Sequence, residues 1–448
     1  MLKKLFLSGT ALCLALSLAA CGSNNSNNGN SSNSSETSNA GSASSAPDAT
    51  ASDSANDEAF EISVSHWTLG SSNAYAQDYM RNVEALYKQK YPNATIKWNP
   101  IQGEKYHELL KAQLATKSAP DVFFHQNALV PFAKAGYLTD LTDQPWASQI
   151  MKSSLPDNAY QGKVYAAPVD VSGWGIFYNK KVFTDLGLSV PKTYQEFLDS
   201  SEKIKAAGII PVTAGFKDGW PISGTWISMA SFVYGANANV AKDLYDGTTK
   251  MNGPEFQALF TGFEKMVKSG YLSKSVMTTT YDTALQQIGT GKAAMMFNGP
   301  WVNSQVADKY QLDLGFFPLP DEQGNNFITT ATNASLSLNA EYKDKQRGID
   351  LIDALIDSST LPGLLQNSAF TGLPNLTIPQ NTNGGKEYAD ALSAYPSQMQ
   401  MTLWLPPSVH DVLSQIITKI AAGKSFKASD LDAADQAYQR DKGLVNIE

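Results

Sequence analysis

From about residue 60 onward, short apolar or alternating runs are followed by longer stretches with apolar positions at helical spacing. The run Phe60–Trp67 alternates apolar and polar residues, as a strand with one buried face does, and Met80, Val83 and Tyr87 then recur along one helix face. Strands that alternate with helices form parallel βαβ units, so we predict an α/β protein. The elements predicted in this stretch are strands over Phe60–Trp67, Ala94–Trp98 and Asp121–Phe124 and helices ending at about Lys90 and spanning Tyr106–Ala115.

The same alternation continues through the second half of the chain. Thr193 and Glu196 have the spacing of a capping box, which predicts a helix that begins there and ends at Gly208, followed by a strand over Ile209–Thr213. Trp226 lies on the apolar face of the next predicted helix and is interpreted as a core residue. The later predictions are a hairpin formed by Leu312–Leu319 and Phe327–Thr330, a helix over Tyr342–Ser358 and two final helices capped by Ser408 and Ser429.

One stretch in this half places a large aromatic residue just beyond the end of a strand. Ala284–Val306 is typical of a helix, a glycine-containing turn and a buried strand that stops at the Asn-Gly-Pro sequence of residues 298–300, because proline has no N–H to donate. Trp301 follows at once. Ligands of open α/β sheets bind outside the carboxyl ends of the strands, so Trp301 is a candidate ligand contact. Burial in the core is the other interpretation.

The N-terminus has the pattern of an export and anchoring signal. Lys3 and Lys4 precede the apolar run Leu5–Ala20, which is short for a membrane span, so residues 1–20 are predicted to be a signal peptide. The sequence Leu-Ala-Ala-Cys-Gly that ends at Gly22 resembles a lipobox, the site at which bacterial lipoproteins are cut and then acylated on the new N-terminal cysteine. We therefore predict lipidation of Cys21; the alternative is a signal peptide with a coincidental cysteine.

Residues 21–58 are predicted to be a lipidated cysteine followed by a disordered linker. The linker is built of Ser, Asn, Gly, Ala and Thr with almost nothing apolar, and such a segment cannot bury enough surface to order itself. It behaves as a coil with an end-to-end distance of roughly 30–40 Å. The chain has two cysteines, Cys13 in the signal peptide and Cys21 at the lipidation site, so the mature fold depends on core packing without a disulfide.

Charge and motif content exclude several functions. The formal net charge is -8, and removal of residues 1–20 would take away Lys3 and Lys4 and leave -10, without a basic cluster. Nucleic acid is therefore not an expected partner. The sequence His-Glu-Leu-Leu-Lys at residues 107–111 lacks the second histidine of a zinc-protease motif, and no phosphate loop, nucleophile elbow or EF-hand loop is present. We predict no metal, no cofactor and no catalytic residue.

The order helix, Gly-Lys-Ala-Ala-Met, apolar strand and Gly-Pro-Trp, which ends at Trp301, resembles the central motif of the extracellular solute-binding proteins of sugar-importing ABC transporters. The resemblance extends from Phe60 to the C-terminus. It implies an α/β, two-lobed periplasmic-binding-protein-like fold of type II, in which each lobe is a mixed sheet flanked by helices and hinge crossovers join the lobes. The implied solute-binding domain is residues 59–448, with lobe I at about 59–169 and 319–366 and lobe II at about 170–318 and 367–448.

The resemblance also implies ligand contacts in the first lobe and at the crossing between lobes. The loop after the Ala-Pro-Asp-Val-Phe-Phe run faces the cleft in this family, and its side chains provide donors and acceptors for hydroxyl groups without net charge. Strand alternation places the crossover residues Asp170 and Trp174 on one face. Ser172 stands where maltodextrin binders have a glutamate. The candidates of this group are Trp67, at the end of the first strand, together with His125, Gln126, Asn127, Asp170 and Trp174.

The second lobe contributes the remaining candidates. Asp218 lies two residues before Trp220, the arrangement in which maltodextrin-binding proteins carry a carboxylate and a stacking aromatic residue. Trp404 matches another position that stacks sugar in those proteins, and Trp301 lies in the central motif. Aromatic faces would cover the C–H faces of sugar rings while polar groups take the hydroxyls.

The function implied is capture of a sugar or oligosaccharide, without bond breaking, for delivery to ABC transporter permease subunits. The protein is then expected to be a monomer, held at the extracellular face of the cell membrane by the lipid on Cys21, in an envelope of the Gram-positive type. Two alternatives stay open: the same fold binding a non-sugar solute such as a peptide or polyamine, and an exported glycan-active enzyme with two carboxylates across a glycosidic bond.

Overall fold

Helices and strands alternate through the chain much as the sequence predicts. The computed structural model describes residues 58–67, 74–101, 105–126, 128–365, 373 and 385–445, all within one compact unit, Ser52–Glu448. The predicted signal peptide, Cys21, the linker before residue 58 and the candidate Asn127 lie outside the described residues. No helix in the described ranges combines the length and the apolar content needed to cross a bilayer.

The strands supply most of the framework around the candidate site. They are β1 Phe60–His66, β2 Ala94–Pro100, β3 Val122–His125, β4 Ala159–Tyr160, β5 Lys163–Val164, β6 Ala167–Asn179, β7 Ile210–Thr213, β8 Ala293–Asn298, β9 Leu314–Phe317, β10 Ile328–Leu338 and β11 Ser397–Met399.

The helices flank this sheet and provide the N-terminal ends that carry several site residues. They are α1 Ala74–Lys90, α2 Lys105–Ala115, α3 Leu129–Lys134, α4 Leu155–Asn158, α5 Lys180–Asp185, α6 Tyr194–Ala206, α7 Trp220–Ser228, α8 Ala230–Ala236, α9 Val240–Asp246, α10 Pro254–Lys268, α11 Tyr281–Gly289, α12 Val302–Tyr310, α13 Lys345–Ile356, α14 Leu361–Leu364, α15 Gly385–Ala394, α16 Met401–Trp404, α17 Pro407–Ala421 and α18 Asp432–Asp441.

The sheet is mixed. Its strand order is β2-β1-β3-β10-β6-β8-β7, with β11 paired to β10 and β9 paired to β6. The neighbours of β1 run parallel to it, as βαβ units require, whereas β10 runs antiparallel to β3 and β6. On the other side, β8 and β9 run antiparallel to β6, and β7 runs parallel to β8. The predicted mixed sheet flanked by helices is confirmed.

Strand β6 connects the two parts of this sheet. Its first part pairs with β10, where Val171 lies opposite Thr332, and its last part pairs with β8 and β9, where Ile176 lies opposite both Phe297 and Phe317. Nearly all of β6 is buried, which fits its position between other strands. The strand therefore brings residues near Asp170 and residues near Trp174 into one continuous element.

Two large hydrophobic clusters lie along the sheet. One includes Ile62 and Val169 with Leu336 and Leu355 from much later in the chain. The other includes Ile176, Val212, Phe256 and Met295 with Leu413 from the C-terminal helices. Each cluster thus combines an earlier and a later part of the sequence, since apolar strand and helix faces bury one another regardless of chain separation. The lobe boundaries expected from the sequence stay a prediction.

The predicted hairpin after residue 312 is wrong. Strands β9 and β10 both run antiparallel to β6, so they point in the same direction and do not pair with each other. The Asp321–Gly324 turn is formed, and Asp321 accepts hydrogen bonds from the backbone N–H groups of Gln323 and Asn325 at 2.9 and 2.7 Å. This turn therefore connects two strands that each use the long buried β6 as their partner.

Of the three predicted helix caps, the one at Thr193 is confirmed and the two at Ser408 and Ser429 are not. The hydroxyl of Thr193 accepts the N–H of Glu196 at 3.2 Å, which confirms the first cap, and the carboxylate of Glu196 accepts the N–H of Lys192. The predictions for Ser408 and Ser429 are wrong. Helix α17 begins after Pro406 and holds Ser408 inside its first turn, where the hydroxyl donates to Asp441. Ser429 lies within a 3-10 turn over Ala428–Leu431.

Candidate functional site

Trp301 is positioned by the abrupt end of β8. The strand stops at Asn298, and Trp301 immediately precedes α12, as the Asn-Gly-Pro sequence predicts. Its ring lies over Gly299, where a Cβ atom would stand 2.1 Å from the indole. Only glycine leaves room for this arrangement, and the ring is held half-buried at the carboxyl end of the strand.

Three tryptophans predicted as ligand contacts meet at this point. The ring centroid of Trp174, on β6, lies 4.9 Å from that of Trp301 in an edge-to-face arrangement and 5.9 Å from that of Trp220, at the start of α7. Trp220 and Trp301 are 6.3 Å apart. Trp174 is buried, whereas Trp220 and Trp301 are half-buried. The cluster therefore offers exposed aromatic surface supported by a buried ring.

Tyr281, at the start of α11, is a fourth member of this cluster that the sequence reasoning missed. Its ring centroid lies 4.6 Å from that of Trp220. Its hydroxyl donates to Gln305 Oε1 at 2.6 Å and accepts from Asn298 Nδ2 at 3.0 Å. Burial raises the pKa of this hydroxyl, so it acts as a neutral donor and acceptor. Tyr281 follows the capping residue Thr280 at the start of a helix. Nothing in this local sequence distinguishes a tyrosine of the site from any other tyrosine at a helix start.

Asp218 has a different local role from the one expected. The carboxylate is exposed, and its Oδ2 accepts the backbone N–H of Tyr281 at 2.6 Å. That N–H belongs to the first residue of α11 and has no partner within the helix, so an acidic side chain stabilises it. Asp218 thus ties the segment that carries Trp220 to the start of α11. A ligand contact by its other oxygen stays a prediction.

A second group of candidates forms a polar chain between β3, β10 and β6. Gln126 Nε2 donates to Asn333 Oδ1 at 2.9 Å, and Asn333 Nδ2 donates to Asp170 Oδ2 at 3.2 Å. Asp170 is only 3% exposed, while Gln126 and Asn333 are half-buried. Asn333 lies at an irregularity of the β10–β6 ladder between Thr332 and Ala334. Sequence reasoning missed Asn333 because a bulge has no signal in an alternating strand pattern.

A second carboxylate lies near this chain. Asp157, in the short helix α4, is 4% exposed, and its Oδ2 accepts the N–H of Thr332 at 2.8 Å. Burial raises the pKa of Asp157 to about 7, and the negative charge of Asp170 adds to this effect. Asp157 therefore holds a proton for part of the time at neutral pH, so that two buried negative charges do not have to lie beside one strand.

His125 lies at the end of β3 but is 1% exposed. The hydroxyl of Ser337 donates to the carbonyl of Tyr165 at 2.9 Å, so its oxygen is left to accept from His125 Nε2, also at 2.9 Å. This places the proton on Nε2. Burial, with the nearby His107, lowers the pKa of His125 to about 3. The structure therefore holds a neutral histidine that links β3 to β10.

Trp67 lies one residue past β1 and is half-buried. Its ring stacks on His66 at 4.9 Å and contacts Tyr106 and His107 at 5.4 and 5.2 Å. These neighbours belong to the end of β1 and the start of α2. Trp67 is thus close to the carboxyl edge of the first strands, where the sequence placed it, and its ligand contact stays a prediction.

Trp404 is placed in the core rather than on a surface. Its ring is 0% exposed and belongs to the hydrophobic cluster of the second half of the chain. Its indole N–H donates to the hydroxyl of Tyr234 at 2.8 Å, which satisfies the polar atom that burial would otherwise leave unpaired. In this conformation the ring has no face open for stacking on a ligand. Trp404, which the resemblance implied as a ligand contact, is a core residue in this structure.

Within the described ranges, no three His, Cys, Asp or Glu side chains come close enough to hold a metal ion. What the described site provides is aromatic surface from Trp220 and Trp301, amide groups from Gln126 and Asn333, and a buried carboxylate behind them. The two parts are connected through β6, on which Asp170 and Trp174 lie four residues, or about 13 Å, apart.

The sequence matches a known family and several relatives. The profile of the family described as bacterial extracellular solute-binding protein matches residues 70–359. The chain is 27% identical over 243 residues to the multiple sugar-binding protein of Streptococcus mutans, covering 52% of this chain and 58% of that protein. It is 26% identical over 397 residues to the diacetylchitobiose binding protein of Streptomyces coelicolor, covering 83% of this chain and 87% of that protein.

A solved structure, titled chitin oligosaccharide binding protein, superposes with a TM-score of 0.74 at 22% identity and covers 86% of this chain and 99% of that chain. This likeness shows the fold, which is the two-lobed periplasmic-binding-protein-like fold of type II that the resemblance implied. The chain spans about three fifths of the length of the first curated relatives it matches. The family profile covers well over half of the sequence, and the chain belongs to the bacterial extracellular solute-binding protein family.

Proposed function

We propose that this protein captures a sugar or oligosaccharide outside the cell and delivers it to the permease subunits of an ABC importer. The observation that carries the proposal is the cluster of Trp174, Trp220 and Trp301, with ring centroids 4.9–6.3 Å apart, at the carboxyl end of β8. Half-exposed indole faces suit the apolar faces of sugar rings. Family membership and the names of the relatives, which refer to sugars and diacetylchitobiose, support the same ligand class.

The polar side chains beside this cluster suit hydroxyl groups. Gln126, which is held by Asn333, presents an amide group, and the exposed Asp218 presents a carboxylate oxygen. The amide of Gln126 is neutral and binds hydroxyls without requiring a charged ligand. His66, His125 and His410 are buried with lowered pKa values, which leaves them poor candidates for general acid–base catalysis at neutral pH. Binding without catalysis is part of the proposal, and its further support is that the matching family and the relatives are named as binding proteins.

The proposal includes two lobes that close on the ligand. Its support is that β6 passes from one hydrophobic cluster, which includes Val169, to the other, which includes Ile176. We further propose cleavage after residue 20, lipidation of Cys21, a flexible linker to about residue 58 and attachment to the outer face of the membrane in a Gram-positive type envelope. The N-terminal sequence is the support for these features. The binding unit is proposed to act as a monomer.

Thermal unfolding of the purified protein against a ligand panel tests this function. The panel contains N,N′-diacetylchitobiose, raffinose, maltotriose, a tripeptide and spermidine. A ligand at a hundred times its dissociation constant adds about 2.7 kcal/mol and raises the midpoint by several degrees. We expect a shift with at least one sugar and no release of smaller sugars on incubation. A shift with spermidine or the peptide alone would be consistent with the fold but would overturn the proposed ligand class. Hydrolysis of a sugar would instead favour a glycan-active enzyme.

A further inference from the structure

The polar chain of Gln126, Asn333 and Asp170 has a direction that its chemistry fixes. Asn333 Nδ2 donates to Asp170 Oδ2 at 3.2 Å, and a carboxylate oxygen that carries no proton can only accept such a bond. The carboxamide of Asn333 then directs its oxygen away from Asp170 and toward Gln126. Gln126 therefore donates its own NH₂ group to the oxygen of Asn333. The buried carboxylate therefore sets the orientation of two amides in succession.

The consequence appears at the outer end of the chain. With Gln126 Nε2 engaged at 2.9 Å, its Oε1 points away from Asn333, and this oxygen makes no hydrogen bond to any residue that the structure describes. Gln126 follows β3 directly and is half-buried, while Asp170 at the inner end is 3% exposed. A ligand at the carboxyl edge of the strands would meet the acceptor of Gln126 rather than the carboxylate itself.

The backbone supports this arrangement. Asn333 lies where the register of β10 against β6 shifts, between Thr332 opposite Val171 and Ala334 opposite Asp170. A bulge of this kind turns a side chain away from the regular alternation, and bulges occur next to functional sites. The neighbouring Thr332 is held by the carboxylate of Asp157 through its backbone N–H, at 2.8 Å. The segment of β10 that carries Asn333 is thus held by β6 on one side and by Asp157 of α4 through Thr332.

We propose that Asn333 is a positioning residue that, held by Asp170, fixes Gln126 with its Oε1 toward the ligand and so selects ligands that present a hydroxyl donor at this point. The inference rests on the proposed function, because it describes the polar part of the same site. Asp170 in this arrangement acts through Asn333 and does not touch the ligand.

Calorimetric affinities for matched sugars test the selection. The probes are N,N′-diacetylchitobiose, raffinose and maltotriose, each with its monodeoxyfluoro analogues, in which one hydroxyl at a time becomes an acceptor only. For the unaltered protein we expect one analogue to bind about tenfold more weakly than its parent, the loss of one hydrogen bond in a polar site. In Asn333→Ala this difference should shrink to less than about twofold. The control Asn239→Ala removes an exposed amide at the start of α9. In this control the affinity difference between the parent sugar and its fluoro analogue should be unchanged.

A second measurement needs no ligand. The side-chain amide protons of Asn333 that face a carboxylate should resonate downfield in the NMR spectrum of the unaltered protein, and Asp170→Asn should move them upfield while the backbone spectrum shows a retained fold. Unchanged Asn333 amide resonances in Asp170→Asn would overturn the inference, as would full discrimination between parent and fluoro sugars in Asn333→Ala. If no sugar binds the unaltered protein, the proposed function fails, and the NMR result alone decides whether Asp170 orients the amides.

Discussion

The indole of Trp220 packs against the ring of Tyr281 at a centroid distance of 4.6 Å, while the backbone N–H of Tyr281 donates to Asp218 two residues before that tryptophan. The start of α11 and the start of α7 are therefore fixed to each other by a ring contact and a hydrogen bond. Any ligand that stacks on Trp220 depends indirectly on Tyr281.

We predict that Tyr281→Ala lowers sugar affinity by about tenfold or more, because Trp220 loses the ring against which it rests. Tyr281→Phe is the matched control, since it keeps the ring and removes the hydrogen bonds of the hydroxyl with Gln305, Asn298 and Trp301. This control should cost about 1 kcal/mol of stability and little affinity. Calorimetric titration of both variants checks the prediction; equal losses of affinity would mean that the hydroxyl rather than the ring is required.

Tryptophans on the surface of the site and in the core should respond in opposite ways. Trp301→Ala removes a half-buried ring, so we expect an affinity loss of tenfold or more with a small change in stability. Trp404→Ala removes a ring that is 0% exposed and should destabilise the protein by roughly 3–5 kcal/mol. Urea unfolding and ligand titration measure the two effects separately. A stable Trp404→Ala variant that loses binding would restore the ligand role expected from the sequence.

Gly224 in α7 tests the packing behind the tryptophan cluster. Alanine usually stabilises a helix by up to about 1 kcal/mol relative to glycine. At Gly224, however, a Cβ atom would stand 2.2 Å from the ring of Trp174. We therefore predict that Gly224→Ala destabilises the protein and weakens sugar binding.

The double variant Gly224→Ala with Trp174→Phe should recover part of that stability, because the smaller ring makes room for the added methyl group. Urea unfolding of the two single variants and the double variant gives the coupling energy directly. Additive losses would show that the contact between Gly224 and Trp174 is not the cause.

Stability should fall as the pH decreases from about 6.5 toward 4. Burial lowers the pKa of His66 and of His125 to about 3, each with a contribution from His107, and burial lowers that of His410 to about 4. In this range the unfolded chain binds protons at these histidines that the folded chain does not, so acid favours unfolding. Urea unfolding at successive pH values measures the slope.

Asp157 has the opposite effect in part of the same range. Its pKa is raised to about 7 by burial and by the charge of Asp170, so the folded chain holds a proton that the unfolded chain has lost above about pH 4. This contribution to stability is present at low pH and is lost as the pH rises toward 7. We predict that Asp157→Asn, which removes it, makes stability rise more steeply between pH 4 and 7. An unchanged slope would mean that Asp157 does not hold a proton in this range.

Much of the architecture followed from the hydrophobic pattern because each element buries one face locally. The strand before Trp301 and the helix that begins after Thr193 were predicted from turn and capping residues whose effects act within a few positions. The hairpin after residue 312 failed because strand pairing is not local: β9 and β10 gain more by lying beside the buried β6 than by pairing with each other.

Side-chain roles were predicted less well for a related reason. Sequence position placed Trp301 and Trp404 equally near strand or helix ends, and only packing distinguishes a half-buried ring from one bonded to Tyr234 inside the core. Asn333 and Tyr281 carry no sequence signal, since one depends on a register shift and the other on a contact from a distant helix.

The pairing of β6 with β10 sets a limit on when the protein can become native. Residues 167–174 of β6 pair with residues 329–336 of β10. Strand β3 also pairs with β10, which is made much later in the chain. During synthesis the early strands therefore keep an unfinished edge until β10 has been made. The contacts between β6 and β10 have a high sequence separation, so their loop-closure cost must be met before the pairing stabilises the sheet, and we expect this sheet to close late in folding.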